Sequence, residues 1–170
     1  MKKAFFAVLL AMLAFCGTSY AQKNIKLGHI NSTELMQIMP GRDSAESQFK
    51  NEVDVMEAQL KAMTDELEKK YNEYQQKEAQ YSDLIKQTKQ KELQDMNTRI
   101  QQFQQEAQNS LQAKQQELMQ PIIDKAKKAI EDVAKENGYT YIFDSGVGAL
   151  LYHQDSDDLM PQVKKKLGLK

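Results

Sequence analysis

Few residues of this chain are of the types that perform chemistry, and their spacing does not assemble them into a site. The two histidines, His29 and His153, both fall in predicted strands, where packing is favoured over metal binding because no carboxylate cluster with metal-ligand spacing accompanies them. The segment "DSGVG" (Asp144–Gly148) resembles a phosphate-binding loop but lacks the lysine and the helix that should follow. No nucleophile and base are paired, so the sequence predicts no enzyme, no metal and no cofactor.

The first 21 residues have the pattern of a cleavable secretory signal peptide. Lys2 and Lys3 precede an apolar run of 12 residues, Ala4–Phe15, which is too short to span a bilayer, and Ser19–Ala21 is a small-x-small cleavage pattern. Cleavage after this pattern would release the protein into the periplasm. The alternative, a lipoprotein signal with lipid attached to Cys16, is disfavoured because a bulky phenylalanine precedes the cysteine.

The exported chain would contain no cysteine, since Cys16 is the only one in the sequence. It would therefore have no disulfide, no thiolate nucleophile and no cysteine-ligated metal, and its stability must come from packing or assembly. With 21 basic and 24 acidic residues it is slightly acidic, which gives no electrostatic reason for it to bind nucleic acid.

A long glycine-free stretch, residues 42–137, has the composition of extended helices, rich in glutamine, glutamate, lysine, alanine, leucine and methionine. Apolar residues recur there mostly at steps of three and four, over residues 49–74 and again over residues 93–111, which predicts a coiled-coil stripe on each of two helices. The stripe lapses near Tyr81–Asp83, where Ser82 is a suitable N-cap. We expect the chain to turn there and return.

Short strands are predicted on both sides of this helical stretch. Asn24–Asn31 alternates in the manner of a strand, and "NGYTYIFDSGVGALLY" (Asn137–Tyr152) is typical of a β-hairpin in which Gly146 or Gly148 supplies positive φ in the turn. A two-stranded hairpin alone is marginally stable in water, and Asn24–Asn31 is the available third strand. The helical stretch must then leave the sheet and return to it as an antiparallel helical hairpin.

The chain is therefore predicted to be α+β, with a small β-sheet body (residues 22–43 and 122–170) and a long antiparallel coiled-coil arm (residues 44–121). Pro121 falls inside the returning helix, where proline removes one backbone hydrogen bond and clashes with the preceding turn, so we predict a hinge there between arm and body. The body is thin for an independent core, which favours oligomerisation.

Side chains along the arm are the candidate contacts for a binding partner. Tyrosine offers apolar area with a polar end, and methionine adapts to irregular partners, although packing between the two arm helices is the favoured interpretation for both. The segment "KQTKQK" (Lys86–Lys91) predicts a solvated tip, with contact to anionic lipid or lipopolysaccharide as a lesser alternative. The candidate contact residues are Met56, Met63, Tyr71, Tyr74, Tyr81 and Met96.

The order of these segments resembles the Skp/OmpH family of periplasmic chaperones. The resemblance covers nearly the whole exported chain and rests on "IKLGHINSTELM", "AIEDVAKENGYTYIFDSGVGALLY" and the tail "DDLMPQVKKKL". It implies a homotrimer in which three β-bodies join and three arms surround a cavity that holds unfolded outer-membrane proteins without ATP. The family has no catalytic residues to carry over.

The charge of the arm departs from the family pattern. Well-known members are strongly basic, whereas residues 44–137 carry 14 basic and 18 acidic side chains. Capture of a client by charge should be weaker here, with apolar and hydrogen-bonding contacts contributing more. The sequence favours a holdase over an envelope structural or adaptor coiled coil that binds one folded partner, because glutamine, methionine and tyrosine are spread along the arm without a concentrated hot spot.

Overall fold

The computed structural model of the protein describes residues 25–169. The predicted signal peptide, residues 1–21, and the lipid-attachment alternative at Cys16 lie outside the described residues. Within the described range the chain is mostly helical, with two long helices, two short helices and a small pair of strands. In chain order the elements are β1 (Leu27–Ile30), α1 (Ser32–Gln37), α2 (Arg42–Lys77), α3 (Asp83–Asn137), β2 (Tyr141–Asp144) and α4 (Met160–Leu167).

The long helices α2 and α3 are joined by a short connection. A single 3-10 turn (Glu78–Gln80) follows α2, and α3 begins after Ser82, whose Oγ accepts a hydrogen bond from the Ile85 backbone N–H at 3.4 Å. A serine in this position satisfies one of the backbone donors that the start of a helix leaves without a partner. The turn therefore lies where the sequence predicts it, at Tyr81–Asp83.

Contacts between α2 and α3 pair the end of one helix with the start of the other. Close to the turn, Gln90 Nε2 donates a hydrogen bond to the Tyr74 hydroxyl at 2.9 Å. Far from the turn, Phe49 of α2 and Leu118 of α3 line the same cavity. The two helices therefore run in opposite directions, with their apolar stripes between them.

The body contains a two-stranded parallel sheet. β1 pairs with β2 over four residues, from Leu27 opposite Tyr141 to Ile30 opposite Asp144. Parallel strands need a crossover connection, and here the crossover includes α2 and α3. On the other edge of β1, the Leu159 backbone N–H donates to the His29 carbonyl at 2.9 Å, so β1 lies between two returning segments.

The predicted C-terminal β-hairpin is wrong for the described chain, because residues 145–152 form no second strand. Gly148 has positive φ (72°), but Gly146 does not, and neither residue joins two strands. The cause is a tight turn after β2, in which the Asp144 carboxylate accepts hydrogen bonds from Ser32 and from the Gly146 backbone N–H. A Cβ at Gly146 would overlap the side chain of Asn31, so glycine is needed there for close packing rather than for a hairpin.

The hydrophobic core lies in the body, where the last part of α3 packs against β1, α1 and α4. Apolar residues of α3 recur there at helical spacing and form the stripe that faces the core. The core residues are Ile30, Leu35, Met39, Ala45, Ile122, Ala126, Ala129, Val133, Leu159, Met160 and Val163.

The Asp144 carboxylate joins the end of β2 to the start of α1. It accepts hydrogen bonds from the Ser32 backbone N–H at 3.1 Å, from the Ser32 hydroxyl and from the Gly146 N–H at 2.8 Å. Partial burial raises the pKa of Asp144, but the hydrogen bonds from Ser32 and Gly146 together lower it by more, so the pKa lies below its usual value.

We therefore expect Asp144→Asn to reduce the free energy of unfolding at pH 7 by about 1–2 kcal/mol, because an amide cannot accept the same set of charge-assisted hydrogen bonds. The carboxylate has a lowered pKa in the folded state, so its contribution is fully present above the ordinary aspartate pKa of about 3.9 and is lost as the pH falls through the folded value. The difference between wild type and Asp144→Asn should thus shrink between pH 7 and pH 3 in urea titrations. Asp54→Asn, at an exposed position of α2, is the matched control; an equal loss in both variants would contradict the role of Asp144.

Pro121 lies inside α3, and the residues on both sides of it are helical. Proline has no N–H to donate to the carbonyl four residues earlier, so the helix is locally weaker at this point. The side chain is exposed, and the core-facing stripe of α3 begins at the next residue, Ile122. The hinge between arm and body stays a prediction.

We expect Pro121→Ala to stiffen α3, because alanine restores the missing hydrogen bond and has a much higher helix propensity. Small-angle X-ray scattering of the mature chain should then give a narrower distribution of overall sizes. Gln116→Ala, an exposed substitution one turn earlier, should leave the distribution unchanged. An identical profile for wild type and Pro121→Ala would mean that Pro121 is not the hinge.

Candidate functional site

Near the turn, the two arm helices are held by a cluster of polar contacts around Tyr74. The Tyr74 hydroxyl donates a hydrogen bond to Glu78 at 3.0 Å and accepts one from Gln90 at 2.9 Å, while Lys70 forms an ion pair with Glu92 across the seam. Burial and the hydrogen bond to Glu78 raise the pKa of Tyr74, and the hydrogen bond from Lys70 lowers the pKa of Glu92. We call these five residues the tip lock, because they connect α2 to α3 beside the turn.

Five of the six candidate contact residues lie at the seam, the line of contact between α2 and α3, and the sixth lies on the surface. Tyr74 and Met96 are buried between the helices, and the remaining three seam residues, Met56, Met63 and Tyr81, are half-buried. The Tyr81 ring lies 6.3 Å from that of Tyr74, centroid to centroid.

Tyr71 differs from the other candidates because it is 49% exposed, on the solvent side of α2. Its hydroxyl accepts a hydrogen bond from Gln75 at 2.9 Å, which fixes the ring along the helix surface. Tyr71 is thus the candidate with the largest accessible area for a partner. The role of all six residues in binding stays a prediction.

Sequence reasoning missed several exposed apolar residues of the arm. Val55 on α2 and Leu84 and Ile85 in the first turn of α3 present large apolar side chains to solvent. They lie outside the apolar stripe, and this departure from the heptad pattern is the signal that could have identified them. Together with Tyr71 they provide separated contact points rather than one continuous patch.

A second surface lies on the outward side of the sheet. Leu27, Tyr141 and Phe143 point away from the core and are about half exposed, whereas Ile30 and Ile142 on the other side pack into the core. Alternation along a strand places the first three side chains on the same face. We call these three residues the outward face.

The segment after β2 adds further apolar area to the body. Val147, Leu151 and Tyr152 are largely exposed, and Leu151 is 99% exposed. The sequence assigned this segment to a strand because of its apolar residues, but in the single chain nothing covers them. Several exposed apolar residues on one small body are typical of an interaction surface.

A cavity of about 460 Å³ lies where the arm meets the body. Met36 of α1, Phe49 of α2 and Met119 of α3 supply its apolar lining, and Arg42 and Glu46 form an ion pair at its edge with an N–O distance of 2.7 Å. The cavity is open to solvent and could accept one bulky apolar side chain of a flexible partner.

The arrangement of the two histidines does not resemble a metal site. His29 and His153 lie against each other, but no group of three histidine, aspartate or glutamate side chains within residues 25–169 has the arrangement of a metal site. None of the helices in the described part is both long and apolar enough to cross a membrane. The notable surfaces are therefore the arm and the body faces.

Comparison with known proteins agrees with the resemblance seen in the sequence. No curated protein matches the chain. Among solved structures, a candidate outer membrane chaperone (OmpH-like) from Caulobacter crescentus has a TM-score of 0.73 at 14% identity, over 84% of this chain and 83% of that one, which shows a shared fold. The model of the family "Outer membrane protein (OmpH-like)" matches residues 26–167. Because this match spans almost all the described residues, the protein belongs to the OmpH-like family.

Proposed function

We propose that this protein is an ATP-independent periplasmic holdase chaperone that binds unfolded outer-membrane proteins and prevents their aggregation. Membership of the OmpH-like family supports a chaperone role. The observation that carries the proposal is the arm itself, since α2 has 36 residues and is about 54 Å long while the core lies almost entirely in the body. A helix pair that extends so far beyond its core provides surface rather than stability.

The division of the chain follows from where the core residues come from. We assign residues 22–43 and 122–170 to the body and residues 44–121 to the arm, because nearly all core residues fall in the first two ranges. Ala45 lies just beyond this boundary, in the first turn of α2. The body binds other copies of the chain and the arm binds the client.

The body assembles as a homotrimer in this proposal, as the family resemblance implies. In a single chain the three large apolar side chains of the outward face are exposed to water. Further apolar side chains are exposed in the segment Val147–Tyr152. Burial of apolar surface between copies would stabilise the body at roughly 25 cal/mol per Å² removed from water. Three joined bodies would bring three arms around a common cavity.

The arm holds its client through many weak contacts rather than one strong site. Its exposed apolar residues are spread along the helices, and many of its charges are paired within the arm, as in Lys61 with Asp65 and Lys77 with Glu73. A flexible client that touches several such points can be held tightly in sum while each contact exchanges rapidly.

Contact of the arm tip with lipopolysaccharide is a weaker part of the proposal. Of the lysines in Lys86–Lys91, Lys89 pairs with Glu92 at 3.3 Å and Lys91 pairs with Asp95 at 3.4 Å. Paired charges attract an anionic surface less strongly than a basic patch does.

Assembly is tested by the molar mass of the mature chain. Light scattering after size exclusion should give three times the monomer mass, and Phe143→Asp should lower it, because a carboxylate on the outward face cannot be buried without a partner. Val55→Asp, which adds the same charge on the arm, should leave the mass unchanged. A well-folded wild-type monomer at micromolar concentration would contradict the trimer.

Client binding is tested by shortening the arm without changing its pairing. Deleting residues 50–63 and 101–114 removes two heptads from each helix and about 21 Å of length, while the tip lock, the turn and the opposition of the remaining residues are kept. We expect this variant to lose most of its ability to suppress aggregation of an unfolded outer-membrane protein, whereas Tyr71→Ala alone should reduce suppression less than twofold.

Salt serves as the control for charge in the same assay. Because residues 44–137 carry a small net charge, raising the ionic strength should change suppression little. If one point substitution abolished activity while the shortened arm kept it, the protein would act as an adaptor for a single folded partner instead.

A further inference from the structure

The two histidines of the chain come from distant segments and lie against each other. Their ring centroids are 3.9 Å apart, and the ring planes are inclined by 39°. His29 belongs to β1 and is 5% exposed, whereas His153 is exposed and belongs to the segment that runs from β2 to α4. Within this segment, residues 153–158 lie against His29, and we call them the covering segment.

Three further contacts hold the covering segment to β1 at His29. The His29 Nε2 lies 3.0 Å from the Gln154 carbonyl oxygen, Asp158 forms a parallel bridge with His29, and Leu159, the residue that follows the covering segment, donates its backbone N–H to the His29 carbonyl at 2.9 Å. The side chain and the backbone of His29 therefore both hold the covering segment in position.

The contact with Gln154 determines which ring nitrogen of His29 carries the hydrogen. A carbonyl oxygen only accepts, so Nε2 must be the donor, and in the neutral ring Nδ1 is then without a hydrogen. Nδ1 is buried and has no hydrogen-bond partner among residues 25–169. A second proton on this ring would create a buried N–H without an acceptor and a buried positive charge beside His153, and both are unfavourable.

Within residues 25–169, no charged group on the neighbouring elements forms a hydrogen bond with the His29 ring. On β2 the residue opposite His29 is Phe143. The carboxylate of the adjacent Asp144 accepts hydrogen bonds from Ser32 and Gly146 instead. In the covering segment, the Asp158 carboxylate accepts from the Met160 N–H at 2.9 Å, and Asp155 and Asp157 are exposed. The parts of α3 and α4 that form the core are apolar.

We propose that His29 and His153 form an acid-sensitive clasp that holds residues 153–158 over the sheet at neutral pH and releases them on acidification. Histidine side chains take up protons between pH 5 and pH 8, and His29 can accept one at Nδ1 once the segment lifts and water reaches the ring. Opening uncovers His29 next to Leu27 and Phe143 and so enlarges the outward face. The clasp depends on contacts within one chain and is independent of whether a client is bound.

The test is the pH dependence of amide hydrogen exchange in the mature protein. After correction for the intrinsic exchange rate, the amides of residues 153–158 should lose protection by about tenfold or more between pH 7.5 and pH 5.0. Amides of the core stripe of α3, around Ala126 and Ala129, should keep their protection over the same range, since the opening is local.

His29→Gln is the decisive variant, because glutamine can still donate to the Gln154 carbonyl but does not titrate. We expect its protection to be equal at both pH values. Unchanged protection in wild type, or an equal acid-induced loss in His29→Gln, would overturn the proposal.

If His29→Gln does not fold, an NMR titration of the two imidazole rings in the wild-type protein is the alternative test of the clasp. The chain has two histidines, and His153→Phe leaves one, so the imidazole resonances can be assigned in NMR spectra. Protonation of the His29 ring should coincide with the loss of amide protection in residues 153–158. An opening whose midpoint differs from that of His29 protonation would also overturn the clasp.

Discussion

The fold depends on the pairing of β1 with β2, two four-residue strands that are separated by the whole length of the arm. Such a long excursion carries a loop-closure cost, and the antiparallel packing of α2 on α3 reduces it by bringing the chain back to its starting point along a defined path. The end of α3 then delivers Ile122 to Val133 onto the sheet, where they form the core. Sheet, core and arm therefore depend on one another, although most of the buried side chains lie in the body.

The sequence allowed the helical part of this fold to be predicted in detail. A glycine-free, glutamine-rich composition indicated long helices, and Ser82 marked the turn because its hydroxyl caps the returning helix. The prediction of a C-terminal β-hairpin was wrong for a physical reason. Val147, Leu151 and Tyr152 have the apolar character of a strand, but the hydrogen bonds of Asp144 to Ser32 and Gly146 turn the chain away, and Ser32 is more than 100 residues distant. A contact between such distant residues leaves no local signal in the sequence.

The candidate site was less predictable than the fold. Residue type suggested Tyr71 and Tyr74 equally, yet one is exposed and the other is enclosed by Glu78 and Gln90. The difference depends on which side of α2 faces α3, and three residues along a helix are enough to move a side chain from the seam to its edge. Similarly, nothing in the local sequence around His29 or His153 indicates that the two rings touch.

The tip lock has a mechanical consequence for the arm. The core fixes the two helices at the body, and the turn with its polar contacts around Tyr74 fixes them at the far end, while the seam between these points consists mainly of half-buried side chains such as Met56, Met63 and Phe103. A pair of rods joined at both ends can bow apart in the middle but cannot separate or slide along each other. Thermal motion of this arm would therefore change its width and curvature while its reach from the body stays nearly constant.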